Sequence, residues 1–392
     1  MYPRLNHFFY DVFGWKVNLP IQSYGFFVAL AFLIAGYLLY LELKRKENKG
    51  LLRPQKKKVI KGEGPKAGSL ITTFLIMFVI GFKLAGLILD YPAFAENPQD
   101  YIFSLEGNLI GGIIIGLGSG LYQYYLKRKS KLPEPVEETE LVHPYQLTGN
   151  MILLAAVAGI IGAKIFHQLE NWNEFVANPW ESLFSFSGLT FYGGLIVAAF
   201  VLVYYAEKNN ISWKRLADSV APSLMIAYGI GRIGCHVSGD GDWGVVNTVA
   251  KPDWLAWLPD WLWSYDYPHN VLQRGVEISG CDPAVWGPYC NKLAQPVFPT
   301  PIYETVISLL FFAFLWSIRK KLKAPGMLFA IYLILNGVER FFIEKIRVNT
   351  EYLIFGARIT QAEIISTVLI ILGILGIWYF NKTHKRRNLQ KT

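Results

Sequence analysis

Nine stretches of mainly apolar residues, separated by polar or Gly/Pro-containing segments, run along this 392-residue chain. They span approximately Ile21–Leu43, Ser69–Tyr91, Asn108–Leu126, Gly149–Gln168, Gly188–Ala206, Leu216–Val237, Ile302–Ile318, Met327–Ile346 and Ala362–Phe380. Each is close to the roughly 20 residues that an α-helix needs to cross a bilayer. The pattern therefore predicts an all-α, polytopic membrane protein. About nine transmembrane helices are expected, with a small external head segment between the sixth and seventh.

Composition agrees with that reading: 53% of residues are hydrophobic, 15% aromatic, and mean hydropathy is +0.29. Net charge is +9, but its placement is more informative than its size. Roughly 26 of the 38 Lys and Arg residues fall in alternate loops or at the C-terminus, and about five in the other loops, which is the positive-inside pattern. Basic groups that flank apolar runs suit phospholipid headgroups and argue against nucleic acid. Nine spans then place the N-terminus outside and the C-terminus in the cytoplasm of a bacterial inner membrane. The first fifteen residues lack the basic start and short apolar core of a cleavable signal.

The segmentation follows. Residues 1–19 form an arm whose Phe8, Phe9, Tyr10, Phe13 and Trp15 suit either an interfacial helix or a packed N-terminus. Residues 20–44 are the first membrane helix, and 45–68 a basic cytoplasmic loop expected to be solvated and flexible. Residues 69–147 hold a helix pair and a polar linker, 148–237 core helices, and 238–299 the external head. Residues 300–381 are core helices again, and 382–392 a basic cytoplasmic tail. Cys281 and Cys290 lie in the head, where a disulfide is plausible. Cys235 beside His236 lacks the spaced second pair that a metal site needs, so no metal is expected.

The helix pair within 69–147 reads as a duplicate. Gly81-Phe82-Lys83 aligns with Gly162-Ala163-Lys164, Phe94-Ala95-Glu96-Asn97-Pro98 with Phe175-Val176-Ala177-Asn178-Pro179, and Phe103-Ser104 with Phe184-Ser185. Gly111-Gly112 aligns with Gly193-Gly194 after one added residue. Ile110 stands where the second copy has Tyr192, so the first copy is expected to be structural.

Charges inside apolar runs carry the candidate chemistry. An arginine at a membrane-helix centre costs roughly 2.5–3.5 kcal/mol on insertion scales, so it usually faces a polar cavity or a partner. Arg232 lies in Gly229-Ile230-Gly231-Arg232-Ile233-Gly234, followed by Cys235-His236-Val237-Ser238-Gly239-Asp240-Gly241-Asp242-Trp243-Gly244. The glycines formally match a dinucleotide fingerprint, but a long apolar helix precedes them and a loop follows, which excludes it. Arg340, Glu344 and Arg347 are four and three apart, which predicts one helix face. A single glutamate between arginines leaves positive charge for an anionic ligand such as a lipid phosphate. The alternative is an ion-pair network that only fixes packing, with Arg232 and Arg340 paired to Glu344, Asp240 or Asp242. Lys164 admits both readings. Glu304 suits a helix start, and Tyr192 suits interfacial anchoring.

Ser23-Tyr24-Gly25, Gly162-Ala163-Lys164, Tyr192-Gly193-Gly194-Leu195-Ile196, Gly231-Arg232-Ile233-Gly234, Trp243-Gly244, Pro299-Thr300-Pro301-Ile302-Tyr303-Glu304 and the Arg340, Glu344, Arg347 set occur in this order. In this the chain resembles the prolipoprotein diacylglyceryl transferases, over the first helix and from about Gly149 onward. It departs from the family pattern at Tyr192, where a histidine is usual, and at Cys235, where an asparagine is usual. The resemblance implies transfer of the diacylglyceryl group of phosphatidylglycerol to the lipobox cysteine of a preprolipoprotein, releasing glycerol 1-phosphate without a cofactor. It implies catalytic roles for Arg340, Tyr192 and Glu344. It also implies substrate binding by Arg232, Tyr24, Lys164, Gly193, Gly194, Ser238, Asp240, Tyr303, Glu304 and Arg347. Partners would be phosphatidylglycerol, lipobox peptides and membrane lipids. Two other readings stay open: a phospholipid-binding or lipid-transport protein without chemistry, and a family member that has lost catalysis. Transporter repeats usually cover both halves of a chain, whereas this one covers a single helix pair.

Overall fold

Each of the nine apolar runs is a helix in the computed structural model, which describes residues 1–17, 19–91, 94, 101, 104–184, 190–349, 351–354 and 357–389. After a short arm helix α1 (Leu5–Phe13) come α2 (Ser23–Asn48), β1 (Gln55–Lys61), α3 (Ala67–Leu89), α4 (Leu109–Lys129) and β2 (Val136–Val142). Then follow α5 (Thr148–Glu170), α6 (Phe191–Lys208) and α7 (Trp213–Ser238). The head holds β3 (Val276–Glu277) and β4 (Asn291–Lys292). The chain closes with α8 (Thr300–Ile318), α9 (Met327–Glu344), β5 (Glu351–Ile354), β6 (Ala357–Thr360) and α10 (Gln361–Leu389). Helices α2 and α10 run several residues past their apolar parts into basic sequence. Leaving a bilayer changes the solvent without ending the helix, and Lys, Arg and Glu are good helix formers.

Seven of the described helices, α2 to α6, α8 and α10, are long and apolar enough to cross a membrane. Helices α7 and α9 are also long, but Asp218 and Arg232 interrupt the first and Glu339, Arg340 and Glu344 the second. Asp218, Glu339 and Glu344 on these two helices are buried, as are Glu42 and Lys46 of α2, Glu304 of α8 and Glu363 of α10. The chain divides into two compact units, Met1–Leu52 with Val203–Thr392, and Arg53–Leu202.

In the first unit α7 packs on α2, α8 and α9, and α9 packs on α8 and α10. Met225, Leu315 and Leu328 form one core cluster between them. Small residues let the backbones approach. A Cβ on Gly234 would lie 2.9 Å from Phe27 Cβ, and one on Gly337 2.7 Å from Ser366 O. The helix α7 stops at Gly239, whose φ of 64° is left-handed and whose N–H donates to Cys235 O at 3.0 Å.

The head is a small domain of turns around Trp243, Tyr267 and Val297. Asn270 is fully buried and ties it together: its amide nitrogen donates to Tyr267 O, Arg274 O and Asn291 O, and its oxygen accepts from Arg274 N at 2.9 Å. Cys281 and Cys290 are joined in a disulfide, with Cα atoms 5.7 Å apart. Helix α1 combines both expectations for the arm. His7 is buried against Trp286 and Tyr289 of the head, while Phe8, Phe13 and Trp15 remain exposed as an aromatic cluster.

In the second unit, the expected flexible basic loop and polar linker are instead one antiparallel ribbon. β1 pairs with β2 from Gln55↔Val142 to Lys61↔Val136. Lys58 pairs with Glu137 at 2.9 Å, and Lys61 with Glu138 at 2.7 Å and Glu140 at 2.9 Å. Each exposed pair contributes little alone. Cross-strand placement of opposite charges, with Val59 and Ile60 in the strand, favours pairing over a solvated loop.

The two helix pairs of this unit cross in the same way. A Cβ on Gly81 would meet Ile115 Cβ at 2.6 Å and Gly111 O at 2.9 Å; one on Gly162 would meet Val197 Cβ and Gly193 O, both at 2.6 Å. Asn108 N donates to Phe82 O at 2.8 Å, and its counterpart Thr190 N donates to Ala163 O at 3.1 Å. The aligned residues Ala95, Glu96, Asn97, Pro98, Phe103 and Ser185 lie outside the described residues.

Candidate active site

Glu304 is the centre of the buried charge. It lies in the first turns of α8, after Thr300 and Pro301 start the helix, and is fully buried. An isolated carboxylate there would be strongly disfavoured. Three arginines answer it. Arg232 of α7 pairs with Oε2 through Nε, Arg347 donates from Nη1 to Oε1 at 3.0 Å, and Arg340 Nη1 lies 4.0 Å from Oε1. Tyr228, one turn before Arg232, donates its hydroxyl to Glu304 Oε2 at 2.8 Å. The Arg232 guanidinium lies over the Tyr228 ring, 5.1 Å from its centroid.

Asp242 is the second bridge. It accepts from Arg232 Nη1, and from Arg347 Nη2 at 2.5 Å. Burial works to raise its pKa, but Arg232 and Arg347 outweigh burial and hold it below the ordinary value. Asp240 has no such arginine contact; burial pushes its pKa up, and its Oδ1 accepts from Asp242 N at 3.2 Å. The loop is fixed from α8, where Thr300 donates to Asp242 O at 2.8 Å. Gly244 N donates to Phe298 O, and Gly244 forms a bridge with Arg347. A Cβ on Gly244 would come within 2.5 Å of Ile346 O, so this approach requires glycine. Cys235, Asp240 and Asp242 offer donor atoms within 4.8 Å of one another. Asp242 is already engaged by two guanidinium groups there, which disfavours a further cation.

Like Arg347, whose Nε has no hydrogen-bond partner, Arg340 is incompletely satisfied. It forms an ion pair with Glu344 at 2.9 Å, yet Arg340 Nη1 and Glu344 Oε2 have no hydrogen-bond partner. The Arg340 side chain is 22% exposed, against 9% for Arg347. Glu344 is also held by Asn349, which donates at 2.6 Å. Two sequence expectations need correction. Helix α9 ends at Glu344, so Arg347 is not on its face but in the following turn, from which it reaches Glu304 and Asp242. Protein anions are also not scarce: Glu304, Asp242 and Glu344 match the three arginines, and Glu339 lies 3.4 Å from the Tyr228 hydroxyl.

The remaining sequence-predicted residues take different places. Tyr303 donates to Leu262 O at 2.8 Å, tying α8 to the head. The Ser238 hydroxyl is buried and donates back to Gly234 O at 2.8 Å. Tyr24 is 45% exposed on α2, with its Cδ2 3.4 Å from where a Gly234 Cβ would stand. Lys164, Tyr192, Gly193 and Gly194 belong to the other unit, at the crossing of α5 and α6. There Gly193 and Gly194 are contact glycines, since a Cβ on Gly194 would lie 2.8 Å from Gly159 O. Sequence reasoning missed Tyr228, Glu339 and Asn349 and did not select Asp242. Tyr228 at i−4 from Arg232 and Glu339 beside Arg340 were visible as polar residues in apolar helices.

The helices and their buried arginine–carboxylate centre define a polytopic α-helical membrane protein built around a strongly polar interior site. Comparison with known proteins gives its kinship: the chain belongs to the prolipoprotein diacylglyceryl transferase family, whose model matches residues 110–379. The match begins within α4, leaving α2 and α3 outside it. Phosphatidylglycerol--prolipoprotein diacylglyceryl transferases are similar to it. That of Leptospira interrogans is 31% identical over 224 residues, 51% of this chain and 61% of the relative. That of Oceanobacillus iheyensis is 26% identical over 280 residues, 71% and 86% respectively. That of Staphylococcus haemolyticus is 28% identical over 269 residues, 68% and 82%. The chain thus spans about three fifths of the length of the Leptospira relative.

Proposed function

We propose that this protein transfers the diacylglyceryl group of phosphatidylglycerol to the lipobox cysteine thiol of preprolipoproteins, releasing glycerol 1-phosphate. The observation that carries the reading is the buried Nη1 of Arg340, without a hydrogen-bond partner, beside a fixed frame of Arg232, Arg347, Glu304 and Asp242, in a chain of this family. In the reaction the thiolate sulfur attacks the glycerol carbon that bears the phosphate ester. A C–S bond forms, the C–O bond breaks, and its electron pair leaves with glycerol 1-phosphate. Arg340 meets the departing phosphate oxygen and favours the thiolate through its charge. Arg232 positions the headgroup, and the carboxylates hold both guanidinium planes before substrate arrives. Glu344 orients Arg340. Tyr192 occupies the place of the family's histidine, and the thiol proton leaves on the departing phosphate. The protein would act in the bacterial inner membrane, with its basic loops in the cytoplasm.

The test is to incubate purified protein with labelled phosphatidylglycerol and a lipobox peptide and weigh the peptide. A mass gain of one diacylglyceryl group, lost when the cysteine is replaced by serine, is expected. Unmodified peptide in the presence of retained lipid would favour the non-catalytic binding reading.

A further inference from the structure

Away from the arginine centre, the first unit carries a charged, partly open cavity of about 220 Å³. It lies where α2 and α8 end and where α7 and α9 begin, and every lining residue belongs to this unit. Two helix C-termini and two N-termini meet there, so their dipoles largely cancel. The side chains do not cancel: seven Lys and Arg residues line the cavity against two carboxylates.

Both carboxylates are already committed. Glu42 is buried and pairs with Arg45 at 2.5 Å, Arg319 at 3.3 Å and Lys46 at 3.8 Å. Asp218 accepts from Gly326 N at 2.7 Å and Phe329 N at 3.0 Å, capping the start of α9. Lys46 is itself buried, donating to Arg215 O at 2.9 Å and Ser219 Oγ at 2.8 Å. The Arg319 guanidinium lies over the Trp316 ring, 3.4 Å from its centroid, which holds it in place. Four cations remain: Lys49, Arg215, Lys320 and Lys323. Among the described residues none of their side chains has a hydrogen bond or ion pair, and Arg215 is half-buried. A topology signal requires only basic residues in a loop. It requires neither a cavity nor a buried lysine and a stacked arginine at its floor.

We propose that this cavity binds a phosphate-bearing ligand, distinct from the lipid consumed at the arginine centre. The occupant is a single phosphate group held by Arg215 and the three lysines, with Arg45, Lys46 and Arg319 fixing the floor. The shared chemistry has two sources: the headgroup of an anionic phospholipid in the leaflet on the basic side of the membrane, or a soluble phosphate. Basic pockets between membrane helices on that side suit the first, and an Arg with several Lys suits either.

The test uses the full-length protein in phosphatidylcholine nanodiscs with or without phosphatidic acid, and a Lys49→Gln, Lys320→Gln, Lys323→Gln variant. These three residues lie outside the proposed catalytic machinery and make no contact that holds the fold. Retained lipid is counted by native mass measurement, and inorganic phosphate is titrated as a competitor and as a ligand in phosphatidylcholine alone. The wild type is expected to retain one more phosphatidic acid molecule than the variant, with at least a tenfold difference in occupancy at limiting lipid. Peptide modification should be the same in the two proteins, and their thermal midpoints should agree in phosphatidylcholine alone. If the source is soluble, inorganic phosphate will raise the thermal midpoint of the wild type alone and phosphatidic acid will make no difference. Equal retention and equal phosphate response in the two proteins would overturn the proposal. That outcome leaves the transfer reaction untouched, because the peptide assay reads the other site.

Discussion

Arg232 and Arg340 carry the same charge with different freedom. Arg232 is divided between Glu304 and Asp242, while Arg340 keeps a buried Nη1 without a hydrogen-bond partner, 4.0 Å from Glu304 Oε1. Lysine preserves the charge but not the fork that grips two oxygens. Arg340→Lys is therefore expected to bind phosphatidylglycerol nearly normally and to modify peptide about 100- to 1,000-fold more slowly, the usual loss for one transition-state contact. Arg232→Lys is expected to bind lipid weakly and to lower the thermal midpoint, because it also loosens a buried carboxylate. Lipid affinity, peptide rate and thermal midpoint measured together decide this; rates that fall only in proportion to folded protein would make both arginines structural. His7 gives a pH prediction. Burial pushes its pKa down to about 4, with Arg4 adding to the effect, and its Nδ1 accepts from Arg4 N at 3.4 Å. The unfolded chain takes up this proton near the ordinary histidine pKa of about 6.5. Stability from neutral His7 is thus complete above that value and declines as pH falls toward 4. Thermal midpoints should fall over that window in the wild type and less in His7→Gln, and parallel pH profiles would contradict this. At this scale the sequence exposed the arginines, because charge in an apolar run is conspicuous. It offered Glu344, Asp240 and Asp242 as partners, and two of them pair, Asp242 with Arg232 and Glu344 with Arg340; it hid Glu304, which looks like an ordinary helix-start acid until tertiary packing surrounds it with arginines.

The helices were legible because a bilayer demands long apolar runs, and the ribbon was not, because strands of Lys and Glu look like solvated loops. Only the meeting of β1 with a partner 75 to 87 residues away along the chain supplies the opposing charges. The duplicate was legible through its glycines, whose contacts recur in both pairs. The copies can now be separated by function. Lys83 donates to the carbonyls of Tyr101 and Ser104 at 2.6 Å and of Glu106 at 2.8 Å, so it ties down the connection between α3 and α4. Lys83→Ala should lower stability by about 1–3 kcal/mol, the usual cost of losing charged hydrogen bonds, and leave turnover of the folded protein within a few-fold of wild type. Lys164→Ala should reduce turnover if that residue meets lipid. A well-folded Lys83→Ala protein as inactive as Lys164→Ala would show that the first copy takes part in catalysis. Gly162→Leu should fail to assemble the α5 and α6 crossing, since its Cβ alone already meets Gly193 O at 2.6 Å; proteolysis between these helices would report it.

At the scale of the whole chain, charge and sulfur chemistry make the same prediction independently. The positive-inside pattern assigns the ribbon and the ends of α2, α4, α8 and α10 to the cytoplasm and the head to the outside. The disulfide between Cys281 and Cys290 needs an oxidising compartment, which in bacteria also means outside the cytoplasm. Neither argument uses the other: one counts Lys and Arg in loops, and the other rests on two cysteines whose side chains meet. The remaining cysteine, Cys235, is buried, so single exposed cysteines can be introduced against a quiet background. Glu174→Cys, in the connection between α5 and α6, should react with a membrane-impermeant maleimide on intact cells. Glu138→Cys, in the exposed strand β2, should react only after the membrane is opened. In the same cells, a cysteine-free Cys281→Ser, Cys290→Ser head should unfold at lower temperature, whereas strong reductant should destabilise the wild type alone. Labelling of Glu138→Cys on intact cells would invert the topology.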